Sequence, residues 1–464
     1  MLKFENIGDV EKFIQKNEVK QIDIKFTNLF GGLHHITIPS STLKKAVSEG
    51  IGVDGSSIPG FAKAEKSDVA LFPDLETGFI DPFFDVKTLS FFGSIYLPDG
   101  VPHPFDSRYI AMKAENFLKE KPYADKSMWG PEFEFYVFDR VRCKNAENIA
   151  YYEIESEEAG FYTQDNPFDW NYEIRKTKGY HAIPPKDRLY NFRSELSMIF
   201  ENAGISVRYH HHENGSAGQM EIEVQLKGLL ESGDQGQLAK YFIKMLAFEN
   251  GFVATFMPKP LYNEAGSGMH FHQVLLKDGL NAFFENESKG FELTETALSY
   301  IAGLLIHSPS LLAITNPSTN SYKRLFSGFE APNRAFFSFS NRKASIRIPV
   351  YVKDPLEKRI EFRPPDATGN VYLSMSAMLL AGIDGIENSL NLKAKNLDSE
   401  DSAIMLPKNL EEALTNLSSD NEYLTNNGIF DRRFVNVWIE SKLKDANEVN
   451  ARPHPYEVEL YLDC

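Results

Sequence analysis

The chain has 464 residues, of which 42% are hydrophobic and 25% charged, an ordinary mixture for a folded protein with room for more than one core. Its formal charge of −16, from 65 Asp and Glu against 49 Lys and Arg, excludes a nucleic-acid partner gripped by a general basic footprint. Only Cys143 and Cys464 are present, far apart, which excludes a disulfide framework and a cysteine-rich zinc site and fits a reducing, cytoplasmic setting.

The opening MLKFENIGDVEKFIQK is too charged for a signal peptide. Val19–Thr27 alternates at period two, Gly31-Gly32 marks a turn, and His34–Ile38 returns as a hairpin partner. Ser41–Glu49 predicts a short helix stopped by Gly50, and the loop Gly52–Gly60 carries Asp54 among glycines and serines. The cluster Pro98, Gly100, Pro102 and Pro104 predicts a domain boundary, with one domain over 1–103 and a second over 104–464.

Beyond it, Ser107–Lys119 has helical spacing, and Pro131-Glu-Phe-Glu-Phe-Tyr-Val-Phe138 alternates strictly, so Glu132 and Glu134 share one strand face. Residues 142–186 show no clear periodicity. Leu189–Asn202 predicts an amphipathic helix closed by Gly204. Met220–Leu226 repeats the alternation, with Glu221, Glu223 and Gln225 on one face. Gln237–Glu249 and the apolar windows Leu298–Ile314 and Val371–Ile386 predict long buried helices and no membrane span, since His307, Pro309 and Asp384 interrupt the windows. Ile360–Phe362 is a third alternating piece, flanked by Arg359 and Arg363, and Gly268–His272 is a fourth that places His270 and His272 together. Strands of this design imply a curved antiparallel sheet or half-barrel, charged on its concave face and backed by helices, an α+β architecture.

If those strands are neighbours, Glu132, Glu134, Glu213, Glu221 and Glu361 converge. Two carboxylates about 4 Å apart repel by roughly 4 kcal/mol at an effective dielectric near 20, so such a cluster demands cations. Mostly oxygen donors with one or two imidazoles suit Mg²⁺ or Mn²⁺. Arg324, Arg342, Arg347, Arg359 and Arg363 crowd the C-terminal half of the same region, and guanidinium forks suit carboxylates and phosphates. There is no GxxxxGK[ST] loop and no GxGxxG after a strand. In the run His210-His211-His212, adjacent strand side chains diverge, so at most alternate members share a site. The residues alone point to a metal-dependent phosphoryl-transfer enzyme of unspecified substrate.

Taken together, several motifs resemble glutamine synthetase of the bacterial and archaeal class, almost end to end. They are Asp54-Gly-Ser-Ser57, Pro131-Glu-Phe-Glu134, His211-His-Glu213 leading to Gly218-Gln219-x-Glu221, Lys259-Pro260 leading to Gly266-Ser-Gly-Met-His270, Arg324, Glu330-Ala-Pro332, Asn341-Arg-x-Ala-Ser-Ile-Arg347, Arg359-Ile-Glu361-x-Arg363 and Pro453-His-Pro455. The resemblance implies a small N-terminal β-grasp domain, a larger catalytic domain, and a homo-oligomer of two stacked hexameric rings with active sites between subunits. It implies ATP-dependent ligation of ammonia to L-glutamate through γ-glutamyl phosphate.

Carried onto this sequence, the resemblance implies one metal on Glu134, Glu213 and Glu221, beside glutamate, and a second on Glu132, His270 and Glu361, beside the nucleotide. The strand Glu132–Glu134 then divides the two substrates. Arg324, Arg363 and Gly266 hold glutamate; Arg342, Arg347, Arg359 and His272 serve the nucleotide and the transferred group. Asp54, Ser57, Tyr180 and Glu213 form an ammonium pocket, with Asp54 taking a proton on a neighbouring subunit's site. Glu330, on the loop Ser318–Ala335, closes over the intermediate. Val274, Arg208, Leu356 and Ala265 depart from the family's serine, glutamate, lysine and asparagine, and bear on nucleotide and glutamate binding. Leu392–Pro407 lacks the segment adenylylated in some members, so that regulation is not expected. Two rivals remain: a γ-glutamyl ligase of the same fold acting on a polyamine or other amine, which would be expected to lose Asp54 or Glu330, and a non-catalytic ring-forming relative, which would lose metal ligands.

Overall fold

The computed structural model describes residues 1–61, 67–161, 172–284, 293–326, 331–392, 397, 399–401 and 403–464. Two sheets organise it. The first uses β1 (Gln21–Thr27), β2 (Leu33–Pro39), β3 (Ile51–Asp54), β4 (Asp68–Pro73), β5 (Phe79–Ile80) and β6 (Thr88–Tyr96) in the order β2-β1-β6-β4-β3, with β5 on β6. β1 and β2 form the expected hairpin, and β1 runs parallel to β6. Ile22, Ile24, Leu71 and Phe91 fill this sheet's core. The helix Leu43–Glu49 stops where Gly50 turns to φ 74°, as the glycine predicted.

The second sheet begins at β7 (Lys126–Phe138); the hairpin β8 (Arg140–Ala146) and β9 (Ile149–Glu155) that follows it is a separate two-stranded sheet. That hairpin was not predicted, because it is largely exposed on both faces and shows no alternation of polarity. β10 (Val207–His212), β11 (Gln219–Val224), β12 (Lys227–Gly228), β13 (Val253–Thr255), β14 (Phe271–Lys277) and β15 (Leu280–Asn281) follow. The last strands are β16 (Arg334–Ala335), β17 (Phe337–Phe339), β18 (Ile346–Ile348), β19 (Ile360–Phe362) and β20 (Ile404–Met405), of which β16 and β20 form a separate two-stranded sheet. The main path is β10-β11-β7-β14-β19-β18-β17, antiparallel except for the parallel pair β17 and β18.

Phe133, Phe135 and Val137 on one face of β7 are buried, each contributing about 1.5–3 kcal/mol. They meet the helices that back the sheet, so the opposite face of β7 is left to Glu132 and Glu134. The backing helix Leu229–Glu249 starts eight residues before the predicted Gln237. Its first turns hold Gly233 and Gly236, where a Cβ would lie 2.3 Å from Tyr372 and 2.9 Å from Val371, so close packing, not apolar periodicity, fixes it there. Arg108, on the predicted helix Ser107–Lys119, bonds Asp234 of this helix at 2.8 Å and Asp74 of the first sheet region at 2.7 Å, tying both halves to one buried guanidinium.

The window Leu298–Ile314 is two helices, Glu295–Ile306 and Ser308–Thr315, bent by 72° at His307. Among the described residues no single helix is long and apolar enough to cross a membrane. The predicted loop Ser318–Ala335 begins instead with a helix, Thr319–Leu325, capped by the Ser318 hydroxyl.

Candidate active site

Register brings the acidic residues together. Across β7 and β11, Glu134 faces Glu221 and Glu132 faces Glu223. Across β10 and β11, His211 faces Glu221. On the other flank, His272 faces Glu361 across β14 and β19, and Glu361 faces Arg347 across β18. Directly opposed residues project from the same face. They open into a cavity of about 1120 Å³ lined by all five predicted glutamates and His270. Arg324, Arg342, Arg347, Arg363, Gly266 and Tyr180 line it too.

The cavity has two electrostatic poles. At one, Glu213 and Glu221 are pushed well above the usual carboxylate range, first by burial, then by repulsion, from Glu221 and Glu134 on Glu213 and from Glu132 and Glu134 on Glu221. His211 Nε2 lies 3.5 Å from Glu221, and its Nδ1 lies 3.9 Å from Glu213. Burial also works against ionising Glu132 and Glu361, but here cations prevail. His272 and His270 hold Glu132 well below its ordinary value, while Arg363 and Arg347 hold Glu361 down to about 2.

Among the described residues three sets of donors converge; one groups Glu132 with Glu223 and His272, and the other two hold expected ligands. His270 Nδ1 is 3.0 Å from Glu132 and 3.5 Å from Glu361, which gathers the expected second set. The remaining set groups Glu213 and Glu221 with His211, a ligand type not anticipated at this position. Glu134, expected with them, turns Oε2 to the Gly268 N–H at 2.6 Å and sits 3.7 Å from His270 Nε2, between these two sets. The donors fit divalent cations on chemical grounds: carboxylate oxygens dominate, an imidazole completes each set, and burial with carboxylate repulsion raises the pair Glu213 and Glu221.

The arginines approach from the far wall. Arg324 is buried and donates to the Pro364 carbonyl at 2.7 Å and the Arg363 carbonyl at 3.1 Å, while its Nη2 meets His270 Nε2 at 3.1 Å. Gly266 and Gly268 make room for it, since a Cβ on Gly268 would lie 2.5 Å from Arg324 Nη2. Arg347 and Arg363 both pair with Glu361, and Arg363 Nε donates to the Arg342 carbonyl at 3.1 Å. Arg342 interacts with the hydroxyl of Tyr180, which stacks on His181 at 4.2 Å.

Some predicted residues sit elsewhere. His272 and Arg359 are buried behind the lining: His272 Nε2 bonds Glu132 at 2.6 Å, and Arg359 Nη2 bonds Glu223 at 3.3 Å. Asp54 and Ser57 are exposed and outside this lining. Asp54 accepts the Ser56 and Ser57 hydroxyls at 2.6 and 2.7 Å, and these bonds hold its carboxyl below the usual range. Glu330 lies outside the described residues. Of the three histidines in the run, His212 turns away to Glu158 at 3.1 Å and His211 meets the carboxylates, as strand alternation requires. Glu223 belongs to the same charged face and was legible from the alternation of β11, although no role was assigned to it.

Residues 104–461 match the glutamine synthetase catalytic domain, and residues 18–98 match its beta-grasp domain. The chain belongs to the glutamine synthetase family. It is 41% identical to glutamine synthetase of Streptomyces coelicolor over 473 residues, covering 99% of this chain and 100% of the other. It is 43% identical to glutamine synthetase of Aquifex aeolicus over 466 residues, with 98% of each chain covered. The solved glutamine synthetase of Plasmodium falciparum superposes with a TM-score of 0.93 at 26% identity, covering 99% of both chains. The family's β-grasp sheet and curved half-barrel are the two sheets of this fold.

Proposed function

We propose that this member of the glutamine synthetase family joins ammonia to the γ-carboxylate of L-glutamate, converting ATP to ADP and phosphate by way of γ-glutamyl phosphate. The observation that carries this reading is the division of one cavity into an acid-rich pole and an arginine-lined wall, with Glu132 and Glu134 on the strand between them. Divalent cations, Mg²⁺ or Mn²⁺, would be held by Glu134, Glu213 and Glu221 and by Glu132, His270 and Glu361, and when bound supply charge neutralisation and Lewis acidity at phosphoryl oxygens.

In the first step a γ-carboxylate oxygen of glutamate attacks the terminal phosphorus of ATP, and the bond to the ADP oxygen breaks. Arg324 and Arg363 orient glutamate, and Gly266 leaves space at its amino-acid end. Arg342 and Arg347 face the charge that spreads over the transferred phosphoryl group. In the second step the lone pair of ammonia attacks the acyl carbon and phosphate leaves. Tyr180 and Glu213 offer the ammonium a polar wall, and Asp54 with Ser57 completes it. The two serine hydroxyls favour the charged form of Asp54, which attracts the ammonium cation and is the form able to take its proton.

The exposed position of Asp54 and Ser57 supports their acting on a neighbouring copy, in the double hexameric ring. Glu330 is assigned to the closing loop that excludes water from the acyl phosphate. A domain boundary at 103/104 completes the reading. Phosphate release measured with glutamate, Mg²⁺ and ATP tests it. Release that rises with ammonia in step with glutamine is expected, and ATP hydrolysis indifferent to glutamate would overturn it.

A further inference from the structure

We propose that Glu158 and His212 form a buried brace that positions Glu213 and Tyr180 together at the acid-rich pole and so sets how tightly the ammonium is held; this rests on the reading above. His212 is fully buried, on the face of β10 turned from His211. Its Nδ1 lies 2.6 Å from the Glu213 carbonyl oxygen, which can only accept, so this nitrogen carries the hydrogen. Its Nε2 lies 3.1 Å from Oε2 of Glu158, which is buried as well. The Glu213 N–H donates to the Gln219 carbonyl at 2.8 Å. Both backbone polar groups of Glu213 are therefore bound, and its side chain leaves for the cavity from a fixed point.

Glu158 also grips the segment that carries Tyr180. Its carbonyl accepts the Ile174 N–H at 2.7 Å and its Oε1 accepts the Arg188 N–H at 2.7 Å, so the chain from Ile174 to Arg188 starts and ends on one residue. Between those ends, the Gly179 N–H donates to the Asn214 carbonyl at 3.1 Å and the His181 N–H to the His212 carbonyl at 3.0 Å, one on either side of Tyr180. Only glycine permits this approach, since a Cβ at Gly179 would lie 2.4 Å from the Glu213 carbonyl oxygen and 2.6 Å from His212 Cε1. Glu213 and Tyr180 both line the cavity, and the brace fixes the distance between them. Breaking it loosens that pair without removing any group assigned to ATP.

Steady-state kinetics at saturating Mg²⁺ on the wild-type chain, His212→Ala, His212→Asn, Glu158→Gln and the double variant His212→Ala with Glu158→Gln test the proposal. KM for ammonia is expected to rise about tenfold or more in His212→Ala, with KM for ATP changed less than about twofold. His212→Asn keeps an amide donor near the place of Nδ1 and is expected to raise KM for ammonia only about threefold, and it decides the matter if the alanine variant does not fold. Glu158→Gln is expected to raise the same constant, and the double variant to be no worse than His212→Ala alone, because the two residues act as one unit. An ammonia KM unchanged in a folded variant, equal losses for ammonia and ATP, or effects that multiply in the double variant would overturn the proposal. A wild-type chain that makes no glutamine would instead overturn the functional reading on which it stands.

Discussion

Glu134 and Glu221 are direct partners across β7 and β11, with backbones in register and both carboxylates turned toward one cavity. Like charges opposed in a ladder destabilise it, and burial adds to that cost. A cation joining them would offset that cost, as the proposed metal site requires. Chelation is expected to lower the thermal midpoint of the wild-type chain, and saturating Mg²⁺ to restore it by several degrees, following a binding stabilisation of about 2.7 kcal/mol at a hundredfold excess over Kd. Differential scanning calorimetry checks this. Glu221→Gln should be less sensitive to chelator; an identical response would show that the ion binds elsewhere.

Glu361 holds Arg347 and Arg363, and in the proposed site it would also bind a cation with Glu132 and His270. Glu361→Gln keeps its shape and removes its charge. Turnover is expected to fall about a hundredfold or more while the chain stays folded and assembled. Activity near wild type in that variant would contradict the placement of the second cation.

His307 sits at the 72° bend between two buried helices and is held by Asp384 at 3.0 Å and Asp420 at 2.9 Å. Burial opposes its charge, but the two carboxylates win and raise its pKa from 6.5 to about 9. A histidine whose folded value exceeds its unfolded value stabilises fully below the unfolded pKa, and that contribution disappears as pH rises through the folded one. Wild-type stability should therefore fall between about pH 6.5 and pH 9 by on the order of 2–3 kcal/mol relative to His307→Asn. Urea unfolding at both ends of this window measures it, and parallel curves for the two proteins would refute the assignment.

Arg108 joins Asp74 from the first sheet region to Asp234 on the backing helix, and Tyr372 adds a 2.6 Å bond to Asp234. Arg108→Ala leaves a buried carboxylate unpaired, and a loss of about 3–5 kcal/mol is expected in chemical unfolding. A loss below about 1 kcal/mol would mean that water already screens this pair.

Much of the site was legible because strand alternation is a local rule. Glu132, Glu134 and Glu221 could be placed on one face of their strands from spacing alone, and the arginine-rich stretch announced the opposite wall. What spacing cannot supply is which strands are neighbours and in what register. That is why Glu223 was seen on the charged face without its partners Arg208 and Arg359, and why His211 was not anticipated as a donor. His272 and Arg359 were expected at the cavity wall. They lie one layer behind it because Glu132 and Glu223 stand in front of them. The helix Leu229–Glu249 was read too short because its first turns bury glycines and polar residues, which give no apolar stripe. The hairpin β8 and β9 was missed for the converse reason: exposure on both faces leaves no pattern to read.

The central claim is that ammonia is the nucleophile. Product formation from glutamate, ATP and Mg²⁺ with ammonia, hydroxylamine or putrescine as the amine tests it most directly. Glutamine with ammonia, the hydroxamate with hydroxylamine and negligible product with putrescine are expected. Product with putrescine alone would contradict the account and assign the chain to a γ-glutamyl ligase of another amine.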